Sequence, residues 1–329
     1  MSNFRTALKP VHFPFQINHS DSTICVGSCF AVHIGERLEK YKFPTLTNAL
    51  GILYNPISIA IQLNRALEIK KIEAAELFEY QGLWHHFQFH SEFSGLDKEE
   101  VLKKMNKKLE TTHHFLKKSK TLIITFGTAW RFSTIDNSQV VANCHKLPAK
   151  HFEKKLLSVE DCTTKLFDFF EKLKVENPGI NIILTVSPVR HTREGLIENQ
   201  RSKSTLLLSC AKLSKGLDYV HYFPSWEIMM DDLRDYRFYE SDMIHPNEVA
   251  IDYIWSYFQN GLFSEDTKTL NSELEKVIQA SQHRPFQQSS TAHQIFLQKQ
   301  LEQISNLKER FPFINLENES VLLENQLES

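Results

Sequence analysis

A chain of 329 residues forms one large domain or about two smaller ones, so a disulfide- or metal-stapled miniprotein is excluded. Its 38 lysines and arginines against 40 aspartates and glutamates leave a net charge of -2, which gives no global field to hold nucleic acid or anionic lipid. The five cysteines are odd in number and lack a repeated spacing, no run of about 18 apolar residues occurs, and the first 22 residues show no signal sequence. The expectation is a folded cytoplasmic protein with no disulfide framework and no membrane span.

Short β-branched runs alternate with stretches of helical period, the pattern of βαβ units around a mainly parallel sheet. Residues 22–27 read as the first strand, followed by a helix over about 31–41 with Ile34, Leu38 and Tyr41 on one face. A weaker strand at 45–48 precedes a helix opened by Pro56. A charged amphipathic helix over 97–118 leads into the third strand, 121–126. A helix at 159–175, a strand at 181–187, a helix near 203–213, a strand at 219–223 and a closing helix at 247–258 complete the frame. Residues 78–93 and 130–141 break the rhythm and read as antiparallel excursions, the second with an Asp136-Asn137 turn. Residues 1–263 thus form an α/β domain. From 264 to 329 the chain turns Gln-, Glu- and Ser-rich, with a thinly apolar helix over 292–310, and forms a helical extension docked on the sheet domain or on a partner such as a second copy.

In an open parallel sheet, ligands bind beyond the carboxyl ends of the strands, so chemistry is sought in the segments that follow them. These are Gly27-Ser28-Cys29, Asn48 to Gly51, Gly127-Thr128-Ala129-Trp130, Ser187 to His191, and Pro224 to Trp226, with Asp242-Met243-Ile244-His245 before the closing helix. Ser28 stands where a strand turns into a helix, and its hydroxyl needs an imidazole to become a nucleophile. Asp242-x-x-His245 supplies one compactly, since the carboxylate can fix one ring nitrogen while the other faces the serine. Ser28 also reads as a helix N-cap and Asp242 as a turn-capping carboxylate, and short spacing does not separate the two readings.

The segment Val26-Gly27-Ser28-Cys29-Phe30-Ala31 resembles the signature of the GSCFA domain family. The resemblance extends through Leu50-Gly51-Ile52-Leu53-Tyr54-Asn55-Pro56, Phe126 to Trp130, Val141 to Pro148 and Thr185 to His191, over about residues 25–255. That family is similar to the SGNH (GDSL-type) esterases. The resemblance implies a flavodoxin-like three-layer αβα sandwich with a five-stranded mainly parallel sheet. It also implies a Ser28, His245 and Asp242 triad acting on an ester, with no metal and no cofactor. Where that superfamily carries an oxyanion-binding asparagine two residues after the glycine of its third block, this chain carries Ala129. The main-chain N–H groups of Ser28 and Gly51, with Thr128 of the Gly127 loop or Asn143, are the expected substitutes, because loss of one donor costs roughly 10² to 10³ in rate.

The expected function is an esterase or O-acyltransferase for a small-molecule or saccharide ester; the alternative is a non-catalytic protein that holds a saccharide or peptide in the same pocket. Arg190, His191, Arg193, Asn199, Gln200, Ser202 and Lys203 cluster after the fourth strand, where Arg190 and His191 are expected to contact substrate. Cys29 is a rival nucleophile whose side chain is expected to point away from the site. His85, His86 and His90 fall on alternating faces of a strand, and with Cys144-His145 they read as surface or interface histidines, not metal ligands. Trp84, Trp130 and Trp226 read as either a stacking wall or core.

Overall fold

The computed structural model describes residues 6–327; residues 1–5, where the N-terminal segment read above begins, and residues 328–329 lie outside it. The first half builds β1 (Thr23–Gly27), α1 (Cys29–Lys40), β2 (Thr45–Thr47), α2 (Pro56–Leu67), β3 (Phe78–Tyr80), β4 (Leu83–His85), α3 (Lys98–Lys118) and β5 (Thr121–Phe126). There follow β6 (Trp130–Thr134), β7 (Val140–Val141), β8 (Phe152–Leu156), α4 (Val159–Glu176), β9 (Asn181–Val186), α5 (Leu196–Gly216) and β10 (Val220–Phe223). A short α6 (Ser225–Glu227) runs into a π-helical turn, and α7 (Glu248–Leu262) closes the frame.

Helix starts follow local chemistry. Asn55, Asp97, Ser158 and Asn247 each accept an N–H from the first turn of α2, α3, α4 and α7. Ser28 holds the same position before α1, yet its side chain makes no capping bond. The hydroxyl is withheld from the structural task that its position suggests.

The main sheet runs β10-β9-β5-β1-β2 with every pairing parallel, so in chain order its five strands lie 2-1-3-4-5, the flavodoxin-like order. One face, carrying Ile24, Val26, Leu122, Ile124, Phe126, Ile182, Leu184 and Val186, packs against α2, α3, α4 and α5. The other, carrying Cys25, Ile123, Ile183 and Phe223, packs against α1 and α7. Because helices cover both faces, β1 and β5 are buried along their whole length, and their sequences read as continuous apolar runs with no alternation. This is the three-layer α/β sandwich expected from the sequence.

The antiparallel excursions form a β3–β4 hairpin and a separate three-stranded sheet in the order β7-β6-β8. Its third strand, Phe152–Leu156, was not part of the expected excursion: its alternating burial marks a strand, but no turn signal precedes it. After residue 264 there are three helices where one was expected, α8 (Glu265–Gln282), α9 (Thr291–Arg310) and α10 (Glu317–Leu327). They bury a cluster of their own around Leu274, Val277, Leu297, Leu307 and Leu323. Ion pairs Lys40–Glu275 at 3.0 Å and Lys42–Glu319 at 2.6 Å tie it to the end of α1. Among the described residues no helix is long and apolar enough to cross a membrane.

Candidate functional site

The sheet order reverses between β1 and β5, and at such a switch point the loops diverge to leave a crevice beyond the strand ends. A cleft of about 800 Å³ opens there, lined by Ser28, Cys29, Tyr54 and Thr128 from the strand ends, by Arg190, His191 and Arg193 after β9, and by Ile244 and His245. The inserted sheet supplies the opposite wall through Trp130, Phe132, Phe152 and Lys154, with residues 142–147 at its rim.

Ser28 reaches this place through a strained turn. Gly27 has φ +138°, a conformation open to glycine, and donates its N–H to Asn48 Oδ1 at 2.8 Å. The Ser28 N–H then bonds Thr125 O at 3.0 Å, locking the turn to β5. Ser28 is 1 % exposed, and its Oγ is buried without a hydrogen-bond partner. A buried hydroxyl left unsatisfied costs about 1–3 kcal/mol unless something else binds it.

The loop before α7 builds the second half. Asp242 Oδ1 accepts the N–H groups of Ile244 at 2.8 Å and His245 at 3.0 Å, and Oδ2 meets His245 Nδ1 at 2.6 Å. These donors, the His245 amide foremost, hold the Asp242 carboxyl down at about 2. The carboxylate is therefore charged at any working pH, and it fixes Nδ1 as the protonated nitrogen, which leaves Nε2 free to accept a proton. Ser28 and His245 thus line one cleft, and Asp242 is joined to it through its bond to His245. Ser28 Oγ is not hydrogen-bonded to the imidazole.

Several expected oxyanion donors are otherwise engaged. The Gly51 N–H is spent on Asn48 O at 2.7 Å, and Gly51 packs on His90 outside the cleft lining. Gly127 and Thr128 both donate to Tyr54 O, at 2.8 and 3.0 Å, and the Thr128 hydroxyl pairs with Ser202 at 3.0 Å. With the Ser28 N–H on Thr125, the assignments to Ser28, Gly51, Gly127 and Thr128 are corrected: main-chain turn bonds consume them. Asn143 does line the cleft; its Oδ1 accepts the His145 N–H at 2.8 Å, and its Nδ2 has no partner among the described residues. At the start of α1 the Cys29 N–H is likewise unspent.

Arg190 lines the cleft, with its Nε unpartnered, and also acts as a clamp. Its guanidinium donates to Met243 O, lies 4.5 Å over the Tyr239 ring and 5.1 Å over Tyr236, and so pins the loop that carries His245. Cys29 was expected to point away, yet it lines the cleft with Sγ 3.6 Å from the Tyr54 hydroxyl, because at the first position of α1 a side chain tilts toward the helix N-terminus and so toward the strand ends. Of the three tryptophans singled out from the sequence, Trp130 lines the cleft, Trp226 is core and Trp84 lies under Lys98.

Sequence reasoning missed Tyr54 and the role of Lys203. Lys203 is fully buried, yet it donates to Gly127 O at 2.8 Å and Ser187 O at 2.7 Å, stapling the ends of β5 and β9. Its helical spacing gives no hint of this, since only the tertiary fold brings two carbonyls to it.

His85 and His86 are buried, not surface residues. His85 bonds Ser94 Oγ at 2.6 Å and stacks 4.5 Å from His145, whose Nε2 meets His86 O at 3.0 Å. Burial pushes His86 and His145 down to about 4, and His19 likewise. Neutral when folded and near 6.5 when unfolded, they contribute stability that is complete above about pH 6.5 and lost as pH falls toward 4. Thermal melts should therefore drop by several degrees between pH 7 and 4.5, and His86→Gln should reduce that slope; a flat profile refutes the assignment.

The GSCFA family model matches residues 22–258, and a model described as GSCFA domain protein, C-terminal domain, matches residues 274–329. The chain belongs to the GSCFA family. No curated protein gives a match. In this GSCFA-family chain the first match spans the whole sheet domain from β1 into α7, and every cleft residue named above lies inside it. The second covers the C-terminal half of α8 and all of α9 and α10 within the described residues.

Proposed function

We propose that this protein is a serine hydrolase or O-acyltransferase of the SGNH type, acting on the ester of a small molecule or saccharide. The observation that carries the reading is the Ser28 hydroxyl, buried and unpartnered at the sheet's switch point, in one cleft with an imidazole already oriented by a carboxylate. Ser28 Oγ adds to the acyl carbonyl, its proton passes to His245 Nε2, and the carbonyl electron pair moves onto oxygen. Collapse of that tetrahedral species expels the alkoxide, which takes the proton from His245 and leaves an acyl-serine. Water or a second alcohol then repeats the sequence in reverse, with Asp242 stabilising the imidazolium each time. The aromatic wall of Trp130, Phe132 and Phe152 supports a ring-bearing substrate such as a sugar. All five cysteines are free, which supports a reducing, cytoplasmic setting.

Intact mass after incubation with a fluorophosphonate tests the proposal. One adduct is expected on wild type and none on folded Ser28→Ala. Ala129 in the place of an expected oxyanion donor favours a second reading, a binding protein for a saccharide or peptide; folded wild type that never labels selects it.

A further inference from the structure

We infer that the imidazole of His191 is the side-chain oxyanion donor of this site, filling with Nε2–H the role left open by Ala129; this rests on the serine-hydrolase reading above. The argument begins with what Gly127 separates. A side chain built on Gly127 would place its Cβ 3.1 Å from Ser28 Cβ, 3.0 Å from His191 Nε2 and 2.9 Å from Tyr54 Cδ1. Ser28 and His191 therefore approach each other across the bare Cα of Gly127. Ser28 Oγ, one bond from its Cβ, and His191 Nε2 are both buried and lack a hydrogen-bond partner. Two orphaned polar atoms on either side of one glycine mark a position where a bound polar group would satisfy both.

Elimination strengthens the case. The Ser28, Gly51, Gly127 and Thr128 amides are spent on main-chain oxygens, and the Ala129 N–H donates to Ser202 Oγ at 2.7 Å. Ala129 is itself wholly buried in the core, so no residue at that position would reach the cleft without repacking. The donors left without a partner in the cleft include the Cys29 amide at the start of α1, His191 Nε2, Asn143 Nδ2, Trp130 Nε1 and Arg190 Nε, and of these side chains His191 is the one that meets Ser28 across Gly127. An amide and a side-chain N–H converging on one oxygen form a two-donor hole.

His191 suits a donor better than a base. Burial, then the charges of Lys203 and His245, hold its imidazole down at about 3, so it stays neutral through the working range and carries one N–H. A group so weakly basic removes a proton from serine poorly, whereas a neutral imidazole N–H can still polarise a carbonyl. Its ring is held in place: the His191 amide donates to Asn199 Oδ1 at 2.8 Å, and the imidazole meets the Tyr54 ring edge to face at 5.4 Å. When Ser28 Oγ bonds to the acyl carbon and its proton goes to His245, the charge that develops on the former carbonyl oxygen receives the His191 Nε2–H and Cys29 N–H bonds. Both are released when the carbonyl re-forms.

The test uses full-length protein with 4-nitrophenyl acetate as substrate and a fluorophosphonate as label. His191→Ala is expected to lower kcat about 10²- to 10³-fold with KM little changed and the pH midpoint of turnover retained, and His191→Asn, which restores an N–H, to recover at least about tenfold of that loss. In the phosphonylated wild type, the ¹⁵N-labelled His191 ring should show a protonated Nε2 shifted downfield by its bond to the phosphoryl oxygen. Turnover by folded His191→Ala within about threefold of wild type, or an unprotonated Nε2 in the adduct, overturns the inference while leaving the hydrolase reading standing. Loss of the pH midpoint in His191→Ala also overturns it, because His191 would then be the base. A wild type that neither labels nor turns over overturns both.

Discussion

Replacing His245 with alanine should lower ester turnover by about 10⁴-fold while the melting temperature stays within a degree or two of wild type. The two halves of that expectation come from the same geometry. The His245 and Asp242 side chains are 43 % and 46 % exposed, and an exposed ion pair contributes little to stability because water and salt screen it. The pair's order is costly in side-chain freedom all the same, and the loop is held for it by Arg190 on Met243 O, by Asn247 Nδ2 on Arg237 O at 2.8 Å, and by the Glu240 N–H on His245 O at 2.7 Å. Asp242→Asn separates the roles further. The amide oxygen can keep the Ile244 and His245 N–H bonds that shape the turn, but the NH₂ group cannot accept from His245 Nδ1. A loss of about 10² to 10⁴ in kcat at unchanged stability is expected. Since its hydrogen bonds hold the Asp242 carboxyl down at about 2, the acid limb of the wild-type rate profile should not report that carboxylate. If either variant loses activity only in proportion to its melting temperature, the pair is a turn-capping device and the catalytic reading fails.

How much of this was legible before the fold was known differs by kind of residue. The sheet was readable because strands buried on both faces must be apolar throughout, and residues 121–126 and 181–186 show it without ambiguity. Ser28, Asp242 and His245 could be singled out as candidates because strand-end position and a three-residue spacing are local properties. Which main-chain N–H groups are left free could not be read, because that depends on a distant acceptor. The Gly127 and Thr128 amides are consumed by Tyr54 O, more than seventy residues earlier in the chain, and no pattern at 127–128 announces it. His191 was noted as a substrate contact from its place after β9. Its apposition to Ser28 exists only because β9, β5 and β1 are adjacent in the sheet. The C-terminal helices were under-read for a different reason: Leu270, Leu274, Val277 and Ile278 do repeat at helical spacing, but within a polar background that composition alone assigns to a tail.

The two glycines flanking Ser28 in space should fail in opposite ways when each becomes alanine. At Gly27 the added Cβ would lie 2.1 Å from Thr125 O and 2.8 Å from its carbonyl carbon, at a φ of +138° that alanine resists. Those atoms belong to β5, whose Thr125 is the register partner of Gly27, so neither strand can retreat without breaking the centre of the sheet. Gly27→Ala should therefore cost more than about 4 kcal/mol, appearing as insoluble protein or a melting temperature lower by about 10 °C or more. At Gly127 the backbone is unstrained, and the neighbours are the side chains of Tyr54, His191 and Ser28, at 2.9 to 3.1 Å. Side chains can yield by a few tenths of an ångström, so Gly127→Ala should fold with nearly wild-type melting. The yielding, however, pushes Ser28 and His191 apart at the point where the reacting carbonyl would sit, and since a misplacement of about 1 Å costs about 10²-fold in rate, a few tenths should cost several-fold. Gly127→Ala should accordingly react with a fluorophosphonate about three to ten times more slowly than wild type. Normal folding of Gly27→Ala would mean that the serine is not held by a glycine-only turn. Undiminished labelling of Gly127→Ala would place the reaction centre away from the Ser28, Tyr54 and His191 junction, and with it the oxygen that the cleft is built to receive.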